Sequence, residues 1–247
     1  MKKRILLFIL AGIMVVLIGG AAYVLNYYHA SDDVRAFLTD TEDDVGILET
    51  GEGLFLDGPG TETALIFYPG GKVEYTAYVP LLSRLAEGGI DCFLIKMPAN
   101  LAVFGANKAS AVMAQHEYDH WYIGGHSLGG AMAASFAGKN DLDGLILLAS
   151  YPTEAVDERA IEIYGSEDGV LNADKLQAGD GFFSKEPEKV VIRGGNHAQF
   201  GNYGEQKGDG TAQISRERQQ AEAAEAMLAF MNKQILRSQG ELVGKRQ

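Results

Sequence analysis

The chain has a single cysteine, Cys92, among its 247 residues, together with six prolines and one tryptophan. One cysteine excludes a disulfide framework and thiolate metal sites. Basic residues are also scarce, since 21 Lys and Arg face 33 Asp and Glu for a formal net charge of −12. Such an acidic surface repels nucleic acid, which is excluded as a partner. Neither metal-ligand spacing nor a Gly-rich dinucleotide loop occurs, so no metal and no cofactor is implied.

The N-terminus differs from the rest of the chain in composition. Lys2, Lys3 and Arg4 precede an uncharged apolar stretch from Ile5 to Val24. At about 1.5 Å per residue, this stretch can span the roughly 30 Å hydrocarbon core of a bilayer. It predicts a transmembrane helix that anchors the chain in the cell membrane, with the remainder outside the cytoplasm. A cleaved signal peptide and a secreted product are the alternative.

The chain is therefore divided into an anchor or signal segment (1–30), an acidic linker (31–45) and a globular domain (46–247). In the domain, apolar strands alternate with helices, which predicts an α/β fold with a mostly parallel sheet covered by helices on both faces. Ligands of such sheets bind beyond the carboxyl ends of the strands. Two weak strands are expected in VGILETGEGLFLD, then strands at 63–70, 90–98, 120–125, 142–150, 160–165 and 189–195, and helices at 78–89, 107–116, 128–139 and 215–236.

One serine stands in a motif typical of a nucleophile. Gly125-His126-Ser127-Leu128-Gly129 matches G-x-S-x-G. An apolar strand precedes it and an Ala-rich helix follows it, as the strained strand-to-helix turn of a nucleophile elbow requires. The first amides of that helix would point at the group that Ser127 attacks. A purely structural Gly-rich turn is the alternative.

A serine hydroxyl is a weak nucleophile unless a base takes its proton and an acid orients that base. His197, in GGNHAQF after the last predicted strand, is the only histidine that follows Ser127. The chain order serine, acid, histidine makes it the predicted base. The acid is expected after the strand at 160–165, where SEDGV offers Glu167 and Asp168. The Asp-Gly turn favours Asp168, with Glu167 as the alternative.

Negative charge that develops on an attacked carbonyl oxygen needs backbone amides as donors. The amide of Leu128, directly after the predicted nucleophile, is one expected donor. The other is expected in the loop YPGGKVEY that follows the strand at 63–70. Gly71 is favoured because a glycine lets the backbone approach a substrate closely, and Lys72 is the alternative.

The motifs GGHSLGG, FYPGG, GSEDGV and GGNHAQF resemble those of the α/β-hydrolase superfamily, over about residues 46 to 236. YPGGKVEYTAY, IKMPANLAVF and GGNHAQFGNYG are similar to a branch of small, lidless, bacterial dienelactone-hydrolase-like proteins. The resemblance implies acyl transfer by a Ser-His-acid triad through an acyl-enzyme, most often ester hydrolysis. The chain departs from the lipase pattern because no His-Gly pair precedes the predicted oxyanion donor.

The segment YPTEAVDER (151–159) is too short for a helical cap between two strands. It indicates an open site with a minimal cap, suited to small esters or to esters that project from an envelope component. Candidate substrate contacts are Lys72, which would hold an anionic group, and Phe104, Phe182, Phe183 and Phe200, which would line an acyl pocket. An envelope acyltransferase or a peptidase with the same triad, or a non-catalytic membrane-tethered binding module, are the alternatives to an esterase.

Overall fold

The computed structural model of the chain describes residues 2–39 and 45–244. Its strands are β1 (Gly46–Glu49), β2 (Gly53–Asp57), β3 (Thr63–Tyr68), β4 (Asp91–Ile95), β5 (His120–His126), β6 (Gly144–Leu148), β7 (Ala160–Gly165) and β8 (Glu188–Ile192). Its helices are α1 (Lys2–Leu25), α2 (Val34–Thr39), α3 (Val79–Glu87), α4 (Ala109–Met113), α5 (Leu128–Ala137), α6 (Ala173–Gly179) and α7 (Arg216–Gly244).

The strands form an eight-stranded sheet in the order β1-β2-β4-β3-β5-β6-β7-β8. Strands β3 to β8 pair in parallel, while β1 and β2 add an antiparallel edge. Every residue of β3, β4 and β6 is buried, as expected for short apolar strands covered on both faces. The prediction of a mostly parallel α/β sheet is confirmed.

Helices cover both faces of the sheet, each over its own hydrophobic core. On one face, apolar side chains of α3 and α7 meet those of the sheet, and the two helices also pack against each other. On the other face, the small residues of α5 and the buried residues of α4 cover the same strands. The alanines and glycines of α5 allow that helix to lie close to the sheet, directly behind the strand end that carries Ser127.

The first helix, α1, covers the apolar N-terminal stretch. Within residues 2–39 and 45–244, no helix combines the length and the hydropathy that crossing a membrane requires. The transmembrane helix expected over Ile5 to Val24 is therefore not supported by the structure.

The residues after α1 pack on the domain. Tyr28 forms a parallel backbone bridge with Val73, in the loop that follows β3. The amide of Ser31 donates to the carbonyl oxygen of Asn202 at 2.7 Å, in the loop that follows β8. We call residues 28–34 the N-terminal segment.

Part of the segment that the sequence predicted as a linker packs on the domain. The linker was predicted to begin at residue 31, whereas α2 (Val34–Thr39) lies against α3 and Val34 is buried in the core. Residues 31–39 therefore pack on the domain, Val45 at the end of the predicted linker is buried in the core, and residues 40–44 lie outside the described residues.

Candidate active site

Ser127 stands on a sharp turn between β5 and α5. Its backbone has φ 51° and ψ −121°, a strained conformation for a residue with a side chain. The surrounding chain is so close that a Cβ on Gly125 would lie 2.7 Å from the carbonyl oxygen of Tyr68, and one on Gly129 2.2 Å from it. Both glycines of the motif are therefore needed for this turn, which presents Ser127 at the carboxyl ends of the strands.

His197 and Asp168 lie together in the loops that follow β8 and β7. Nδ1 of the imidazole is 2.9 Å from Oδ2 of the carboxylate, and both side chains are almost fully buried. The other oxygen of Asp168 accepts from the amides of Val170 and Leu171, at 2.9 and 2.7 Å, which fixes the carboxylate. In the described part of the chain, Nε2 of His197 has no hydrogen-bond partner. The hydroxyl of Ser127 is therefore not hydrogen-bonded to this nitrogen in the structure.

The structure distinguishes the two carboxylates that the sequence left open. Glu167 accepts a hydrogen bond from the hydroxyl of the adjacent Ser166 at 2.9 Å and lies on the exposed side of the turn. Its backbone amide donates to Gly195, so the residue helps to hold the turn. It is therefore Asp168 that the fold brings to the imidazole of His197.

The predicted oxyanion donors lie next to each other. Leu128 is the first residue of α5, so its amide has no acceptor one turn earlier in the helix. A Cβ on Gly71 would lie 2.8 Å from Cδ2 of Leu128, which places the two residues in contact. The amide of Lys72 is already used, since it donates to the carbonyl oxygen of Asn100 at 2.7 Å. Of the two alternatives, only Gly71 keeps its amide available among the described residues.

Ser127 and His197 line one cavity of about 340 Å³. Its wall consists of apolar, hydroxyl and amide side chains besides His197, without an acidic or a basic residue. Within the described ranges, no three His, Cys, Asp or Glu side chains are grouped so that they could hold a metal ion. The cavity is lined by Ser127, Leu128, Ala131, Met132, Ala149, Ser150, Tyr151, Thr153, Val170, Leu171, Asn172 and His197.

The candidate substrate contacts lie elsewhere. Phe104 is 65% exposed outside the cavity, while Phe200 is fully buried and packs against His126, with ring centroids 5.7 Å apart. Lys72 turns towards α1, where its ammonium donates to the carbonyl oxygen of Tyr23 and lies 4.1 Å from the centroid of that ring. These three predictions are corrected: one side chain is on the surface, one is in the core and one is bound by α1.

The other two phenylalanines are also absent from the cavity wall. Phe182 lines a separate groove along α6, and Phe183 forms a backbone bridge with Val156. Between β6 and β7 the chain forms no helix, so no helical cap covers the cavity at this point. The loop itself contributes Tyr151 and Thr153 to the cavity wall.

The family follows from comparison with known proteins. The model of the alpha/beta hydrolase family matches residues 64–221, which is more than half of the chain. The chain belongs to the α/β-hydrolase family. No curated protein sequence matches it.

Solved structures share the fold of this α/β hydrolase at low sequence identity. Est1E from Butyrivibrio proteoclasticus is 15% identical, with a TM-score of 0.57 over 78% of this chain and all of that one. The propionate-bound esterase Est2 from Thermogutta terrifontis is 12% identical, with a TM-score of 0.56 over 79% and 96% of the two chains. A predicted CIB-like hydrolase from Thermoplasma acidophilum is 11% identical, with a TM-score of 0.58 over 75% and 99%.

In this α/β hydrolase, sequence reasoning missed Asp209. Its Oδ1 accepts from the amides of Gly169 and His197 at 3.1 and 3.2 Å, and its Oδ2 accepts from the amide of Ala198 at 2.8 Å. One carboxylate thus joins the loop that carries Asp168 to the loop that carries the imidazole. The sequence holds only a weak indication of this role, an Asp-Gly pair in a long polar loop.

A second unanticipated contact lies behind Ser127. The hydroxyl of Tyr78 accepts from the amide of Gly70 at 3.0 Å and lies 2.8 Å from Nδ1 of His126. The ring of His126 is 4.5 Å from that of His197, between centroids. Burial, and then the neighbouring His197, lower the pKa of His126 well below its usual range, so its ring is neutral. His126 therefore packs behind the elbow, between the loop of Gly71 and the imidazole.

The loop of Gly71 carries backbone strain that other segments hold in place. Lys72 has a positive φ of 63°, which is uncommon for a residue with a side chain. Its amide donates to Asn100, and its carbonyl oxygen accepts from the amide of Tyr28 at 2.7 Å. The N-terminal segment is thus part of the support of this loop, although the sequence predicted it to lie outside the domain.

Proposed function

We propose that this chain is a serine hydrolase that cleaves carboxylic esters through an acyl-enzyme, with Ser127 as nucleophile, His197 as base and Asp168 as acid. The observation that carries the proposal is the buried hydrogen bond between Asp168 and His197 beside a serine on a strained strand-to-helix turn, with Ser127 and His197 lining one cavity. Family membership is consistent with it.

In the first half of the reaction, Nε2 of His197 takes the proton of Ser127 while Oγ attacks the carbonyl carbon of the ester. The amides of Leu128 and Gly71 stabilise the negative oxygen of the tetrahedral intermediate. The imidazolium then gives its proton to the leaving alkoxide, and an alcohol departs. Asp168 holds the imidazole in the useful tautomer and stabilises its positive charge without itself taking the proton.

In the second half, water attacks the acyl-enzyme. His197 accepts a proton from the water, and the same two amides again stabilise the oxyanion. Collapse of this intermediate breaks the bond between the acyl carbon and Oγ, and the proton returns from His197 to Ser127. The products are the carboxylic acid and the free enzyme.

Covalent labelling tests the nucleophile. A fluorophosphonate probe reacts with activated serines, and esterase 2 from Thermogutta terrifontis, which shares the fold, is phosphoramylated by tabun. We expect labelling of the wild type on the peptide that contains Ser127, no labelling of Ser127→Ala, and a loss of about 10⁴-fold or more in p-nitrophenyl acetate turnover. Ser110→Ala, an exposed serine on α4, is the control. Labelling on Ser150, the other serine in the cavity, would contradict the proposal.

We further propose that the domain works outside the cytoplasm, tethered at the cell membrane by the apolar N-terminal stretch. The support is the order of Lys2, Lys3 and Arg4 before the apolar residues. Protease added to intact spheroplasts should then degrade the domain while a cytoplasmic marker survives. Protection of the domain until the cells are lysed would contradict this location.

A further inference from the structure

A groove runs beside the cavity and is not used by the proposed chemistry. We call it the α6 groove. One wall is the loop Tyr151, Pro152 and Thr153, and the other is the end of α6 with the turn after it, Ala178, Gly179 and Phe182. Its volume is about 300 Å³.

The α6 groove adjoins the cavity that holds Ser127. Tyr151 and Thr153 line both. At the floor of the groove, a Cβ on Gly179 would lie 3.1 Å from Cβ of Tyr151, so α6 and the loop are in close contact there. A molecule bound at Ser127 that extends past Tyr151 and Thr153 would therefore enter the groove.

The groove is suited to an apolar chain. Its walls hold aromatic rings, a proline ring and small residues, and no acidic side chain lines it. The side chain of Phe182 is 40% exposed, so the groove leaves apolar surface uncovered. The one charged lining residue, Lys175, lies on an exposed part of α6.

We propose that the α6 groove binds the distal part of the substrate, and that the substrate is an ester with an unbranched apolar chain of medium length. This inference rests on the proposed function and specifies its substrate. It differs from the small esters that the sequence indicated. A water molecule takes about 30 Å³ in the liquid, and a methylene group is of comparable size. The groove thus has room for several methylene groups beyond those that the cavity accepts.

Chain length should then change the rate in a defined way. Burying one methylene group contributes about 0.8 kcal/mol, which corresponds to about fourfold in kcat/KM for complete burial. Because the groove is open to solvent, we expect about twofold per methylene, so that p-nitrophenyl octanoate exceeds the acetate by about 50-fold or more. The gain should end when the groove is full.

A blocking substitution tests the assignment. Ala178→Trp places a large side chain in the groove, and Gln177→Trp places the same side chain on an exposed position of α6 that does not line it. Ala178→Trp should lower kcat/KM for the octanoate by about 10-fold and leave that for the acetate within about twofold. Gln177→Trp should behave as the wild type does. Phe182→Ser removes one apolar wall and should lower kcat/KM for the octanoate several-fold. This variant replaces Ala178→Trp in the test if Ala178→Trp does not fold.

The outcomes separate this inference from the proposed function. Hydrolysis of the acetate with a flat chain-length profile, or equal losses on both esters in Ala178→Trp, would overturn the groove assignment and leave the esterase proposal standing. Failure to hydrolyse any ester would overturn the proposed function itself. A parallel series of alkyl acetates shows whether the chain in the groove belongs to the acyl or to the alcohol part, because only the matching series gains rate with length.

Discussion

The backbone amide of Tyr28 donates a hydrogen bond to the carbonyl oxygen of Lys72, at 2.7 Å, one residue after Gly71. A second hydrogen bond runs in the opposite direction, because the amide of Glu74 donates to the carbonyl oxygen of Tyr28 at 2.8 Å. The hydroxyl of Tyr28 also accepts from the amide of Lys207, in the loop beyond His197. The N-terminal segment therefore connects two loops that the proposed mechanism uses.

Loss of the Tyr28 amide should weaken the oxyanion site. Tyr28→Pro and Tyr28→Ala both remove the ring, but only proline removes the donor. We expect Tyr28→Pro to lower kcat about 10-fold relative to Tyr28→Ala, with a smaller change in KM, because a slight displacement of Gly71 acts mainly on the transition state. Steady-state kinetics on p-nitrophenyl acetate and circular dichroism measure the effect. Equal kcat values in two folded variants would show that the segment does not support the loop.

Asp209 should matter for the alignment of Asp168 with His197. In Asp209→Asn the side chain keeps one acceptor oxygen, whereas Asp209→Ala keeps none. We therefore expect kcat to be about 10-fold below the wild type in Asp209→Asn and about 100-fold below it in Asp209→Ala. The reason is that His197 would be displaced from its position beside Ser127. Glu205→Gln, an exposed residue beside the same loop, is the control and should be silent. An alanine variant with normal kcat and a lowered Tm would indicate a purely structural role.

The assignment of the acid separates two neighbouring carboxylates. Asp168→Asn should lower kcat by about 10³- to 10⁴-fold, because the amide stabilises the wrong tautomer of His197 and cannot stabilise the imidazolium. Glu167→Gln removes a charge one residue away without touching the imidazole and should change kcat by less than about twofold. The reverse ranking of these two variants would return the role to Glu167.

The placement of the three proposed triad residues could be predicted from the sequence because each of them follows a strand with a clear apolar pattern. Ser127 stands between an apolar run and an Ala-rich helix, and His197 was the only histidine in the right order. Both inferences depend on local patterns along the chain. Asp168 needed one more step, the turn-forming Asp-Gly pair, and here the sequence alone left Glu167 open.

The substrate side of the site could not be read in the same way. Phe200 and Phe104 were chosen for their residue type and loop position, but whether an aromatic ring faces a cavity, the core or solvent depends on tertiary packing. The helix α6 was missed because its seven residues, Ala173–Gly179, are too few for a clear helical period. The role of Asp209 was not predicted because hydrogen bonds to distant backbone amides leave no pattern in the sequence.

Glu162 provides a test of electrostatics away from the cavity. It lies in β7 opposite Lys189 of β8, whose ammonium is 3.4 Å from its carboxylate, and its side chain is 1% exposed. Burial raises its pKa to about 7, an effect that Lys189 partly offsets and that Asp180 reinforces. The folded state thus resists ionisation of a group that ionises near pH 4.5 in the unfolded chain.

The sign of the pH dependence follows from this difference. As pH rises from about 5 to 8, the unfolded chain loses a proton that the folded protein retains until about pH 7, so the wild type loses stability over that range. Glu162→Gln has no such proton. Its Tm should therefore rise relative to that of the wild type by several degrees between pH 5 and pH 8. The corresponding gain in the free energy of unfolding is at most on the order of 3 kcal/mol. Glu188→Gln, at an exposed ion pair on β8, is the matched control. Parallel Tm profiles for wild type and Glu162→Gln would mean that this carboxylate is ionised in the folded protein throughout the range.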